Sequence, residues 1–314
     1  MTIHEHVAEF AGLPVEDFQD LAGDPPPESG ERVPEAGAVA WGVRTGFDEA
    51  PFPEVFGRFV ENVETEKVTA LVIGYWGASY DQGAADPVAL LADAADRFPA
   101  LRALFIGDIV MEESEVSWIE HSDITPVFEA YPRLERFDVR GSQEMRLKPI
   151  RSEHLKVLRF ESGGLPAGVV RAVAASDLPA LERLDLWLGT ENYGGDATVR
   201  DLAPLLSGER FPALRHLGLE NSEIQDEIAA AVAGAPVVAR LETLSLAMGA
   251  LTDEGAEALL TGQPLTHLRR LDLHHHFLTD PMVERVSAAL PGVEVDLNEQ
   301  EEPDDDWRYI AVSE

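Results

Sequence analysis

The chain has 314 residues, 45% hydrophobic and 26% charged, enough for a sizeable core. Its formal net charge of −34 and pI near 4.4 oppose binding to nucleic acid and to anionic membrane surfaces. The absence of cysteine excludes a disulfide framework, a thiolate metal site and a cysteine nucleophile.

Residues 1–37 read as an N-terminal capping segment. The opening Met1-Thr-Ile-His-Glu-His-Val lacks the basic and apolar regions of a secretion signal, and no apolar run reaches membrane-spanning length, so a cytoplasmic location is expected. Phe10, Leu13, Val15 and Phe18 are expected to lie across an exposed first strand, because open strand edges invite unwanted pairing. The Pro/Gly/acid stretch 23–31 is expected to be a mobile loop.

From Ala38 to Leu297 an L-x-x-L-x-L rhythm recurs. Its triplets are Ala38/Trp41/Val43, Val68/Leu71/Ile73, Leu101/Leu104/Ile106, Leu134/Phe137/Val139 and Leu155/Leu158/Phe160, then Leu181/Leu184/Leu186, Leu214/Leu217/Leu219, Leu241/Leu244/Leu246, Leu268/Leu271/Leu273 and a degenerate Gly292/Val295/Leu297. The last two positions of each alternate as in a strand, and the first anchors the turn leading in. Successive first positions are 30, 33, 33, 21, 26, 33, 27, 27 and 24 residues apart, room for one strand and one helix per unit, as in leucine-rich repeats. Helical periodicity predicts helices near 53–63, 86–98, 166–175, 198–206, 223–233, 252–260 and 279–290. Gly208, Gly234 and Gly262 suit left-handed helix ends. The 21-residue unit carries Gly141-Ser-Gln-Glu-Met-Arg-Leu-Lys-Pro-Ile150, too short for a helix, and predicts an irregular segment. Since such a unit cannot bury its apolar face alone, 38–297 reads as one repeat domain of about ten strand units. Residues 298–314 are an acidic linker and a C-terminal cap, in which Trp307, Tyr309 and Ala311 alternate toward the core.

The ladder resembles the ribonuclease-inhibitor type of leucine-rich repeat. More narrowly, Gly107-Asp-Ile, Ser117-Trp-Ile, Leu186-Trp-Leu-Gly-Thr-Glu, Tyr193-Gly-Gly, Leu217-Gly-Leu-Glu-Asn-Ser-Glu and Leu251-Thr-Asp-Glu-Gly-Ala-Glu-Ala-Leu259 resemble an uncharacterised bacterial leucine-rich-repeat protein family. The resemblance implies an α/β solenoid, a horseshoe with a parallel concave β-sheet and helices on the convex side. It supplies no site residue. Ser222, Gly249 and His276 stand where the repeat turn usually has Asn.

Alternation also predicts which side chains leave the leucine face. The N-terminal strands offer a small apolar strip: Ala70, Val72, Gly74, Ala103, Phe105 and Gly107. Farther on, Arg136, Arg140, Arg159 and Arg183 with Asp185 and Trp187 form the expected partner-binding patch, continued by His216, Glu220, Arg270, Asp272 and His274. Arg and Trp are common interface anchors. The competing reading is that cross-strand Arg–Asp and Arg–Glu pairs neutralise one another. Three insertions, marked by Tyr75 and Trp76, by Trp118, and by Tyr193, follow strand ends and are expected to cluster along one rim.

His274-His275-His276 gives no metal site by pattern, because neighbours in a strand face opposite ways and soluble zinc needs three or four converging ligands. There is no phosphate loop, nucleophile elbow or H-E-x-x-H. The expected function is a non-catalytic, monomeric protein-interaction scaffold with no cofactor, meeting a protein partner on the concave face or rim. The alternative is a small-ligand binder or enzyme in the aromatic rim insertions.

Overall fold

The structure, a computed structural model, describes residues 3–18, 34–47, 49–77, 85–305 and 307–314. The expected loop at 23–31 and Tyr80 of the first insertion lie outside these residues.

Every predicted triplet places a strand. These strands are β3 (Ala40–Val43), β4 (Ala70–Ile73), β5 (Ala103–Ile106), β6 (Arg136–Arg140), β7 (Val157–Glu161), β8 (Arg183–Gly189), β9 (His216–Ser222), β10 (Thr243–Ser245), β11 (Arg270–Asp272) and β12 (Glu294–Asp296). Two more precede them, β1 (Glu9–Phe10) and β2 (Leu13–Asp17). All twelve form one sheet in chain order, antiparallel between β1 and β2 and parallel from β2 onward. The triplets' middle residues stand in register from strand to strand: Leu71, Leu104, Phe137, Leu158, Leu184, Leu217, Leu244 and Leu271. They face the same side and are buried there with the helices, each worth about 1.5–3 kcal/mol of transfer.

Parallel neighbours need a crossover, supplied by α1 (Phe52–Asn62), α2 (Pro87–Asp93), α3 (Thr125–Ala130), α4 (Ala167–Ala175), α5 (Val199–Leu206), α6 (Gln225–Val232), α7 (Asp253–Thr261) and α8 (Asp280–Ala289). In α1, Phe52, Phe56 and Phe59 recur at helical spacing and meet Phe98, Trp41 and Phe18. Side chains of one unit cap the next. Asp226 Oδ1 accepts from Thr252 N at 2.8 Å and Gly255 N at 3.1 Å, and Asp253 Oδ1 accepts from Thr279 N at 2.9 Å. Of the three glycines expected in left-handed ends, Gly208 has φ +77°. Gly262 has φ −80° and is glycine for room, since a Cβ there meets Ala233.

The short unit between β6 and β7 has no helix, as its length predicts. Met145, Leu147 and Ile150 fill the helix's place, and neighbouring hydroxyls serve its backbone: Thr125 Oγ1 accepts from Lys148 N and Ser176 Oγ from Ile150 N, both at 3.0 Å.

The N-terminal segment protects the open edge by joining the sheet. Val15 pairs with Ala40 and Glu16 with Trp41, so parallel pairing begins at β2. Phe18 falls on the helix side and Phe10 on the opposite face.

Candidate functional site: the sheet face away from the helices

The expected small apolar strip on β3–β5 is covered by the chain itself. Phe10 lies 5.9 Å from the Phe105 ring centroid and, with Val7, Leu13 and Val15, roofs Ala40, Ala70, Val72 and Ala103. Beside it the buried Asp108 accepts from Val7 N on Oδ1 and from Arg44 Nη2 on Oδ2, each at 3.3 Å, and Arg140 Nη1 lies 3.7 Å from Oδ1. His6 reaches Asp108 Oδ2 at 3.3 Å and Glu113 Oε1 at 3.5 Å, and those two bonds raise its pKa to about 9.

Next comes the predicted arginine patch, and each guanidinium has an acid. Arg136 donates to both oxygens of Asp138 at 3.0 and 2.7 Å. Arg140 Nε donates to Glu161 Oε2 at 2.8 Å, Arg159 Nε lies 3.0 Å from Glu161 Oε1, and Arg183 Nε is 2.6 Å from Asp185 Oδ2. His216 Nε2 takes the other Asp185 oxygen at 2.6 Å, and Trp187 Nε1 donates to Glu220 at 2.9 Å. Burial alone would raise the Asp185 carboxyl, but the His216 bond and the charges of His216, Arg183 and Arg159 hold it at about 2. Burial and the Asp185 charge raise Glu220.

The members of the patch are therefore not equivalent. Arg140 is 2% exposed, Trp187 is fully buried and Asp185 is buried with them. Trp187 sits under an apolar cover of Ile3, Val116, Met248 and Val312. Arg183 keeps 45% of its side chain exposed, and Arg136, with 33%, stacks on Phe10 at 4.7 Å. Arg159 lies 5.6 Å from the Trp187 ring.

Segment 309–314 crosses the face at β7–β11. His275 Nε2 bonds the Tyr309 carbonyl at 3.1 Å, Ala311 N donates to Met248 O at 2.8 Å and Ser117 Oγ donates to Ser313 O at 2.5 Å. Asn221 holds both sides of Val312, donating Nδ2 to its carbonyl at 2.5 Å and accepting its N–H at 3.0 Å on Oδ1. Tyr193 hydroxyl donates to Glu314. Ile310 and Val312 are buried, whereas Trp307 and Ala311 are exposed, so the predicted alternation has the opposite phase.

Asn221 escaped sequence reading. It stands one place before the position where the repeat's Asn is expected, at φ +53°, in a left-handed turn shared by Met248 and His275. Asn tolerates that conformation better than most residues, which is the signal that points to it. His276, at the expected Asn position, is structural: Nε2 bonds Leu297 O at 3.1 Å and Nδ1 accepts from Leu278 N at 3.2 Å.

Toward the other end of the sheet, His274 Nδ1 is 2.7 Å from Asp272 Oδ1, a bond that raises the His274 pKa. Asp296 joins them, and one ligating atom from each of Asp272, His274 and Asp296 lies within 4.8 Å of the others. Arg270 Nη2 donates to Asp272 and Asp296 at 2.9 Å each, placing a positive charge on both carboxylates. His216 is engaged with Asp185.

The rim insertions divide between two hollows. Tyr75, Trp76 and Trp118 line a cavity of about 480 Å³ with Asp86, Glu113 and His121. Tyr75 and Trp76 are buried, and Trp118 is 59% exposed. His121 Nε2 bonds Arg140 O at 2.8 Å, and burial lowers its pKa to about 4. Tyr193 lines a second, smaller hollow of about 320 Å³ with Ser117, Gln143 and Trp118.

No family model matches the chain, and no curated protein matches it. Among solved structures it is similar to a Bacteroides fragilis protein determined as a structural-genomics target, with a TM-score of 0.75 and 31% identity over 82% of this chain and 72% of that one. The chain belongs to the family of that Bacteroides protein. Among the described residues no helix is long and apolar enough to cross a membrane.

Proposed function

We propose that the chain is a leucine-rich-repeat solenoid that works as a non-catalytic protein-interaction scaffold, with its partner on the sheet face away from the helices. The observation that carries this reading is that the face already binds polypeptide. The N-terminal hairpin roofs β3–β5, segment 309–314 crosses β7–β11, and the charged row between them is partly open. Within that row Arg136, Arg183 and His216, with Arg270 and His274 farther along, are the groups a partner meets. Arg183 and Arg136 suit this role because each reaches solvent while an acid fixes its direction. The buried Arg140, Trp187 and Asp185 act beneath them as support.

Quantitative affinity capture tests this. Substituting Arg136→Ser together with Arg183→Ser is expected to lower recovery of a partner protein at least several-fold. Arg171→Ser with Arg200→Ser, on the helix side, is expected to leave it unchanged. Equal loss from both pairs, or loss from neither, contradicts the assignment of the face.

A further inference from the structure

Segment 309–314 is held mainly through groups that every polypeptide carries. Its main chain at Tyr309, Ala311, Val312 and Ser313 meets His275, Met248 O, Asn221 and Ser117. Only Ile310 and Val312 bury their side chains, the every-second-residue pattern of an extended strand. At Gly163 a Cβ would run into the Ser313 carbonyl, so here the segment lies backbone against backbone.

Asn221 is the decisive group. It is fully buried, and its amide satisfies both polar groups of one extended residue while a second Nδ2 contact, at 3.2 Å, goes to Ser162 O. A buried primary amide left without partners costs about 1–3 kcal/mol for each unsatisfied group. The position is therefore built to face a peptide backbone, whatever side chains accompany it.

The segment is joined to the groove through the acidic stretch 298–306, which is itself anchored where Glu301 N donates to His276 O and Gln300 Nε2 to Leu278 O, at 2.8 and 2.9 Å. Trp307, at its entry, is exposed. The occupant is thus attached by a few main-chain bonds, two aliphatic side chains, the Tyr309 ring against His275 and Phe277, and the Tyr193–Glu314 bond.

We propose that this groove is a peptide-binding site whose resident occupant is the chain's own segment 309–314, and that it takes in exchange an extended segment of a partner protein with aliphatic side chains at alternate positions. The proposal rests on the interaction reading above and names the form in which the partner arrives. Arg183 and His216, beside the groove, then meet the flanks of a longer partner segment. While tethered, the resident segment competes at an effective concentration of roughly millimolar, so only a multiply anchored partner displaces it.

The test uses a fluorescent peptide spanning residues 307–314 and a chain ending at residue 306, read by anisotropy. Saturable binding to the shortened chain is expected, about 100-fold weaker to the full chain because of the tether. Asn221→Gly, which suits the left-handed turn but lacks the amide, is expected to weaken peptide binding about tenfold or more. A shortened chain that melts cooperatively yet binds no peptide, or binds it equally with Asn221→Gly, overturns the proposal. If the shortened chain fails to fold, a protease site introduced at 302–306 of the full chain serves instead. After cleavage, isotope-labelled peptide is expected to exchange into the folded protein, and a released segment that never exchanges overturns the proposal. The two readings fail separately. A groove that never exchanges while capture still depends on Arg136 and Arg183 defeats this one alone, and exchange with capture indifferent to those residues defeats only the earlier one.

Discussion

Arg140 Nε lies 2.8 Å from Glu161 Oε2, with both side chains buried on the adjacent strands β6 and β7. Each also serves a second partner: Glu161 holds Arg159, and Arg140 donates to the Ile109 carbonyl at 3.1 Å. Removing Glu161 leaves the buried Arg140 with the longer, 3.7 Å contact to Asp108, and breaking a buried pair typically costs about 3–5 kcal/mol. Glu161→Leu is expected to lower stability by that order in urea unfolding. The double change Arg140→Met with Glu161→Leu is expected to recover part of the loss. Near-equal stability of Glu161→Leu and the parent contradicts the burial of the pair.

The N-terminal cover carries its own pH dependence. His6 has a folded pKa of about 9 against an ordinary 6.5, set by its bonds to Asp108 and Glu113. A raised pKa means that the folded chain holds the proton more tightly, so this contribution is complete below about pH 6.5 and fades as pH rises through 9. Amide exchange in residues 7–17 is expected to accelerate, beyond the intrinsic rise with pH, between pH 7 and 10. His6→Gln is expected to abolish that excess. Asp185, held at about 2 against an ordinary 3.8, works in the other direction: its contribution is present above pH 3.8 and lost as pH falls toward 2.

How much of this was legible in sequence follows from which forces repeat. The leucine positions repeat, so each strand from β3 to β12 was placed by its triplet, and the missing helix of the 21-residue unit by its length. The competing reading of the patch expects cross-strand pairs, and Arg140–Glu161 is one, whereas Arg136–Asp138 and Arg183–Asp185 pair along a single strand, two residues apart. The burial of Arg140 and Trp187 was not legible. For Trp187 it depends on Ile3, Val116 and Val312, which come from the N-terminal segment, the insertion after β5 and segment 309–314, all remote in sequence. Alternating residues near the chain's end have two possible phases, and the bonds from Asn221, Met248 O, His275 and Ser117 hold the one that buries Ile310 and Val312.

Gly189 offers a check on how closely the insertions are joined. Its φ is +72°, and a Cβ there would enter the backbone at Gly163 and Gly164, where the Gly164–Gly189 bridge ties adjacent units. Gly189→Ala adds left-handed strain of about 1–3 kcal/mol to that clash. A fall in melting temperature of several degrees is expected, against little change for Gly57→Ala, whose Cβ meets open space.

The central claim is that polypeptide partners meet the face of the sheet away from the helices. Its most direct measurement is photo-crosslinking in native cells, with a benzophenone amino acid placed in turn at position 183 on that face and at position 200 on α5. The account predicts a discrete protein adduct from 183 and none from 200. An adduct from 200 alone would contradict it.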